Sequence, residues 1–177
     1  MTSSILSLPT DEELSDETLE ALSAVPPLNV FRMVALAPAS LSAFSDLARS
    51  ILIGSELDAK AREIAVLRVA HLTRSSYVWT QHVALSKMLG IPDETIERIG
   101  VDGPVEGLGD EATLICRVAD EITRDVRLSD EALTDVVNWY GRRQAAELIF
   151  CVSYFNLVTR FVESTRVPLE PPGGLLR

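Results

Sequence analysis

Hydrophobic residues recur along most of the chain at the three-to-four-residue spacing of amphipathic helices. The apolar side chains of the segment 40–52, which share one helical face, are Leu41, Phe44, Leu47 and Ile51. No convincing strand pattern interrupts this spacing. The pattern predicts an all-α helical bundle. Its predicted helices are Ser15–Val25, Leu28–Leu36, Ser40–Leu52, Asp58–Thr73, Ser75–Leu89, Pro92–Gly100, Asp110–Val126, Ser129–Tyr140 and Arg142–Ser164.

The predicted helix ends carry capping residues. Ser15 and Asp58 are predicted N-caps, because a side-chain oxygen there can accept a hydrogen bond from the first turn. Pro38 is expected to end the second helix, and Pro92 to occupy the first position of the sixth. These signals support the segmentation independently of the hydrophobic pattern.

We interpret residues 1–177 as a single domain, with residues 1–27 as a helical extension and 166–177 as an irregular, proline-rich tail. The segment 145–158 has few charges along its length. Two interpretations of it stay open: it forms the centre of the bundle, or it also buries a face against another subunit.

Acidic residues outnumber basic residues by 26 to 16, which gives a formal net charge of −10. This balance argues against nucleic-acid binding, where a basic face supplies most of the affinity, and gives no attraction to anionic membranes. We find no signal peptide and no long uncharged apolar run, and therefore expect a cytoplasmic protein without a membrane span.

Two cysteines, Cys116 and Cys151, lie inside apolar helical patterns. They are expected to be buried free thiols in a reducing compartment. Neither the cysteines nor the two histidines show the spacing of a metal motif, so no metal and no cofactor are predicted.

The segment "SSYVWTQH", residues 75–82, concentrates polar and aromatic residues between apolar helical stretches. On a helix, side chains three, four and seven apart share a face. That face is formed by Ser75, Val78, His82 and Ser86, with Trp79 adjoining it. His82 is the natural proton carrier at neutral pH. The alternative is a structural histidine that holds one hydrogen bond.

Glu63, in the apolar context "AREIAVL", is the predicted partner of His82. It lies eleven positions before the turn at Arg74, and His82 lies eight after it, so two antiparallel helices would place them at similar heights, with a rise of about 1.5 Å per residue. A Glu–His pair in apolar surroundings can act as a coupled acid/base unit. The alternative, equally open from spacing, is that Glu63 pairs with an arginine and supports only the fold.

Arg68 and Arg74 are the nearest cations, and a site for a small organic acid would use one of them to anchor a carboxylate. We take Arg68 as the candidate. His71 is rotated by about 80° from Glu63 on the same helix and is interpreted as structural.

The segment 62–99, "REIAVLRVAHLTRSSYVWTQHVALSKMLGIPDETIERI", resembles the signature region of the carboxymuconolactone decarboxylase family, which includes the alkylhydroperoxidase-D-like disulfide reductases. The upstream segments "LNVFRMVALAPASLSAF" and "GSELDAKARE" are similar to the same family. The resemblance implies an all-α fold and a homo-oligomer, often a trimer or hexamer.

The peroxidase branch of that family carries a Glu, a Cys-x-x-Cys motif and a His four positions beyond the second cysteine. Glu63 and His82 match the Glu and His, but Ser75 and Val78 stand at the cysteine positions. Since neither side chain forms a thiolate or a disulfide, the resemblance implies that the thiol mechanism is absent at this site.

Cysteine-free members commonly show Tyr-x-Trp-x-x-His, which Tyr77, Trp79 and His82 match. Many of them have an acidic residue where this chain has Val78. The resemblance implies a cofactor-free lyase for a small organic acid or lactone, with His82 as proton donor, Glu63 orienting it and Tyr77 bonding a lactone oxygen. Trp79 would form an apolar wall.

Ser75, Val78 and Arg68 complete the predicted substrate-binding set. Two alternatives remain: a redox protein of the peroxidase branch, and a non-catalytic oligomeric module that keeps the family scaffold.

Overall fold

The computed structural model describes residues 5–171, and within them every regular element is helical. The all-α prediction is therefore confirmed. A 3₁₀ turn at Asp11–Glu13 precedes the α-helices, which are α1 Asp16–Ser23, α2 Asn29–Val34, α3 Pro38–Leu52, α4 Ala59–Leu72, α5 Ser76–Met88, α6 Asp93–Ile99, α7 Asp110–Asp125 and α8 Asp130–Thr165.

Several helix ends follow the predicted chemistry and two differ. Ser15 and Asp58 are N-caps whose side chains accept from the first-turn amides of α1 and α4. Pro38 does not end α2, which stops at Val34; it opens α3, where its missing N–H costs nothing. Pro92 is the N-cap of α6 and lies one residue before the helix.

Of the described residues, 5–53 together with 161–171 form one compact unit. Within it, the rings of Phe31 and Phe44 pack edge to face with centroids 5.9 Å apart. Glu170 accepts a hydrogen bond from the Asn29 amide at the start of α2. The predicted helical extension contains α1, and the tail is non-helical from 166 to 171; its last residues lie outside the described part of the chain.

Gly54–Arg160 forms the second unit, and it holds every residue of the predicted site. Helix α4 is its centre, because nine of the fourteen residues of α4 are buried and it packs against α5, α6 and α7. A tight turn with Arg74 at φ 55° reverses the chain between α4 and α5. This antiparallel hairpin is the element that positions the site.

The two predicted C-terminal helices form one helical segment, α8, that is broken at the expected place. Gly141 has φ 73° and ψ 169°, a conformation that glycine adopts without a Cβ clash. By length and composition α8 could cross a membrane, but half of its apolar window is buried inside the protein, as in the core helix of a bundle.

Arg68 fixes α4 inside the second unit. Its side chain is fully buried, and Nε and Nη2 bind the Asp120 carboxylate on α7 at 2.7 and 3.1 Å. Nη1 donates to the carbonyl oxygens of Ile99 and Val101, and Nη2 also donates to that of Gly103. All five N–H donors of the guanidinium are thereby used. The arginine ties α4 to α7 and to the loop that follows α6.

Removing Arg68 should destabilise the protein strongly. Arg68→Ala leaves Asp120 and three carbonyl oxygens without their donors, and breaking a buried ion pair in this way costs about 3–5 kcal/mol. We expect the free energy of unfolding, measured by urea denaturation, to fall by that amount. The control Arg74→Ala removes an exposed arginine and should stay within about 0.5 kcal/mol of the parent. A loss for Arg68→Ala as small as that of the control would contradict this role.

Candidate active site

The α4–α5 hairpin brings Glu63 and His82 into direct contact. His82 Nδ1 lies 2.7 Å from Glu63 Oε2, and the two side chains are only 10% and 3% exposed. The predicted opposition of the two helices accounts for this contact. Of the two alternatives for Glu63, the structure therefore shows the histidine partner and not an arginine.

The two ring nitrogens of His82 have different roles as a result of this contact. An ionised Glu63 accepts the Nδ1–H, which leaves Nε2 as the nitrogen that can gain or lose a proton. Among the described residues Nε2 has no hydrogen-bond partner. The Glu63 carboxylate also compensates the positive charge when both nitrogens are protonated. This arrangement can deliver or accept one proton at Nε2.

Helix α8 covers the pair with an aromatic side chain. The Phe155 ring meets the His82 ring edge to face, with centroids 4.9 Å apart and an interplanar angle of 87°. Tyr154 packs on Phe155 in turn, at 5.3 Å. Phe155 could not be predicted as part of the site, because it lies more than seventy positions from His82 and no local spacing connects them.

Cys151, one helical turn before Phe155, also faces this region. Burial raises the pKa of the Cys151 thiol to about 12, while the nearby Arg62 charge lowers it and that of Glu63 raises it. The expectation of two buried free thiols is confirmed for Cys151 and for Cys116, whose pKa burial likewise raises to about 12. Both side chains are thus held as neutral thiols.

Ser75 and Val78, at the positions of the family's cysteines, form the first turn of α5. Ser75 is the N-cap, and its Oγ accepts from the Val78 amide at 3.4 Å. Both residues are buried. Their evident role is therefore to start and pack the helix, and their predicted contact with substrate stays a prediction.

Trp79 lines a pocket that His82 does not line. It borders an open pocket of about 710 Å³, together with Ser75, His71, Arg74, Asp102 and Arg124. Neither Glu63 nor His82 is among the residues that line this pocket. Trp79 packs on the apolar cluster of α6, so closely that a Cβ on Gly100 would lie 2.9 Å from its ring. This open pocket therefore contains Trp79 but not the Glu63–His82 pair.

Tyr77 is buried in α5 and lies five positions before His82, which corresponds to a rotation of about 140° around the helix. The two side chains therefore leave α5 on different faces. The predicted bond from Tyr77 to a lactone oxygen is not supported by this placement.

The prediction that Arg68 anchors a substrate carboxylate is wrong. All five of its N–H donors are used within the protein, and its side chain has no exposed surface. A guanidinium so engaged has no donor left for a ligand. His71, interpreted as structural, contacts Asp102 at 3.2 Å on the border of the open pocket.

Within residues 5–171 no group of three or more His, Cys, Asp and Glu side chains is placed to hold a metal ion. The candidate site therefore consists of the acid/base pair, the Phe155 wall and the neighbouring Arg62 and Cys151.

Comparison with known proteins identifies a family similarity and a shared fold. Residues 38–121, just under half of the chain, match the family model of the carboxymuconolactone decarboxylase family. The match contains α4 and α5, and with them Glu63 and His82. Among curated proteins, no sequence matches this chain.

Two solved structures share the fold. One is an uncharacterized peroxidase-related protein from Silicibacter sp. TM1040, with a TM-score of 0.78 and 20% identity. The other, described as an alkylhydroperoxidase AhpD core, is an uncharacterized peroxidase-related protein from Ralstonia eutropha JMP134, with a TM-score of 0.77 and 16% identity. Each alignment covers 96% of this chain and 93% of the other.

The structural likeness establishes the fold, and the family model shows a sequence similarity over the segment that carries the candidate site. The Glu63–His82 hairpin thus lies in a segment that is similar to the carboxymuconolactone decarboxylase family, on a fold shared with two peroxidase-related proteins, and it has Ser75 and Val78 where the peroxidase branch has its Cys-x-x-Cys pair.

Proposed function

We propose that this protein is a cofactor-free acid/base enzyme of the carboxymuconolactone decarboxylase type, acting on a small organic acid or lactone. The observation that carries the proposal is the 2.7 Å contact between His82 Nδ1 and Glu63 Oε2 in a nearly closed environment. A buried carboxylate beside an imidazole orients the ring and compensates its charge.

In the proposed reaction the bond between the substrate and its carboxylate breaks, and carbon dioxide leaves. The electron pair left behind is accepted by the adjacent unsaturated lactone, and a proton from His82 Nε2 then restores the C–H bond. His82 regains that proton from solvent. Apolar walls such as Phe155 favour the step, because a poorly solvated carboxylate loses carbon dioxide more readily.

His82→Gln should lower kcat/KM for release of carbon dioxide from carboxymuconolactone by about 10²–10⁴-fold, the usual contribution of a positioned acid or base. Circular dichroism should show unchanged helical content. His71→Gln, which alters the other histidine of the chain, is the matched control and should keep full activity. Equal activity of parent and His82→Gln would exclude His82 as the proton donor. A parent protein without turnover would favour the non-catalytic alternative.

Thiol chemistry should be absent. With pKa values of about 12, Cys116 and Cys151 are almost entirely protonated at neutral pH, and both are buried. We expect the native protein to react with Ellman's reagent far more slowly than the urea-unfolded protein, and to reduce no peroxide with a dithiol donor. Peroxide turnover that disappears in Cys151→Ser would instead support the peroxidase alternative.

Self-association is part of the proposal, with a second copy of the chain as partner and a trimer or hexamer as the expected state. Phe150 and Leu157 on α8 are 52% and 53% exposed, and with Ala146 they lie within about 40° of one another around the helix. An exposed apolar stripe of this kind is typical of subunit interfaces. It supports the second of the two interpretations of the apolar C-terminal helix.

Phe150→Glu combined with Leu157→Glu should therefore shift the mass measured by light scattering toward the monomer, because charges on the stripe would have to be buried between copies. Leu133→Glu, at an exposed apolar position on the first arm of α8, is the control and should leave the mass unchanged. An unchanged oligomer in the double variant would place the interface elsewhere.

A further inference from the structure

Arg62 is a buried arginine whose donors are mostly unused. The residue is only 8% exposed, and its described hydrogen bond is a long one, from Nη1 to the Leu57 carbonyl oxygen at 3.4 Å. Nε is buried without a partner, and no carboxylate of the described residues lies within 4.0 Å of the guanidinium. A buried cation is unfavourable unless it is paired. Arg68, six residues further along the same helix, differs in that all of its N–H donors are hydrogen-bonded.

Arg62 is next to Glu63, the carboxylate of the acid/base pair, in the sequence of α4. Arg62 precedes Glu63 on α4, and the charges of both residues act on the thiol of Cys151. Phe155, one turn after Cys151 on α8, packs on the His82 ring. This turn of α8 therefore packs on the imidazole, and it carries a thiol near enough to Arg62 and Glu63 to be influenced by their charges.

A second buried polar group without a partner occurs on the α5 side. Ser86 has no exposed surface, and its Oγ makes no hydrogen bond to the described residues. It lies four positions after His82 and therefore on the same face of α5. Buried polar atoms without partners are rare in native proteins, and each requires an explanation such as a bound ligand.

We infer that Arg62 binds a carboxylate of the substrate through its Nε–Nη2 edge. Nη1 points to the Leu57 carbonyl oxygen, while Nε and Nη2 make no hydrogen bond to the described residues. These two nitrogens present parallel N–H groups that match the two oxygens of a carboxylate. Arg62 thereby takes the role that the sequence analysis gave to Arg68. The inference rests on the proposed function, since it concerns the substrate of that site.

The bound carboxylate is the one that stays in the product. An arginine on the departing carboxylate would stabilise the ground state and raise the barrier to carbon dioxide loss. The carboxymuconolactone of the proposed function has two carboxylates, of which one leaves and the other remains on Arg62. The product, a monocarboxylate, keeps its contact with Arg62, so binding can be measured without turnover.

The test compares muconolactone, a monocarboxylic lactone, with its uncharged methyl ester by calorimetry. The parent should bind the acid at least ten times more tightly than the ester. Arg62→Met should abolish this difference and leave the affinity for the ester unchanged. Arg74→Met, at an exposed arginine of the open pocket, is the matched control and should bind as the parent does.

The thermal stability of Arg62→Met provides an independent test of the inference. Because Arg62 is a cation buried without a carboxylate, an apolar side chain of similar volume should leave the thermal midpoint of the ligand-free protein unchanged or raise it. If Arg62→Met lowers the midpoint and preserves the difference between acid and ester, Arg62 is structural and the inference is overturned. Should Arg62→Met not fold, Arg62→Lys keeps the charge without the planar edge and is expected to lose part of the difference.

Other outcomes separate this inference from the proposed function. His82→Gln should still distinguish acid from ester. Binding that depends on Arg62 in a protein without turnover would support the carboxylate site while contradicting the decarboxylase proposal. Turnover that requires His82 but is unaffected by Arg62→Met would overturn the inference alone. Loss of acid binding in Arg74→Met, or no preference for the acid in the parent, would overturn it as well.

Discussion

The burial of charged side chains on α4 is the constraint on which the second unit depends. Arg68 is enclosed completely, and it is tolerated because Asp120 and three backbone carbonyl oxygens accept all of its protons. Meeting this requirement fixes the position of α4 against α7 and against the loop 99–103. Since Glu63 lies on the same rigid helix, the hydrogen bonds of Arg68 also fix where the carboxylate of the site is held.

The three buried charged residues of α4 thus differ in how their charges are paired. Arg68 is paired within the protein, and Glu63 is paired with the titratable His82. Arg62 has only one long hydrogen bond. An interior that leaves a cation in this state sacrifices stability, and each such group requires an explanation. The contrast separates an arginine whose donors are all used from one whose donors are mostly unused, which the sequence could not do.

Much of the fold and the central contact of the site could be predicted. The helices, the caps at Ser15 and Asp58 and the break at Gly141 follow from local side-chain chemistry. The Glu63–His82 contact was one of the two alternatives that helix rise and a short turn left open. The placements of Arg68, Tyr77 and Trp79 could not be predicted, because each depends on which neighbour covers a given face of the helix. Phe155 was missed for the same reason.

By itself the sequence determined the helical segments, the resemblance of the hairpin to a known family and the absence of cysteines at positions 75 and 78, since these depend on residue identity and spacing along the chain. Only the tertiary structure decided which buried charged side chains have hydrogen-bond partners. Hydrogen-bond partners such as Asp120 for Arg68 and the Phe155 wall of His82 come from distant helices. A side chain's role in a packed interior depends on the atoms that surround it, and those are set by helix packing, which local spacing does not encode.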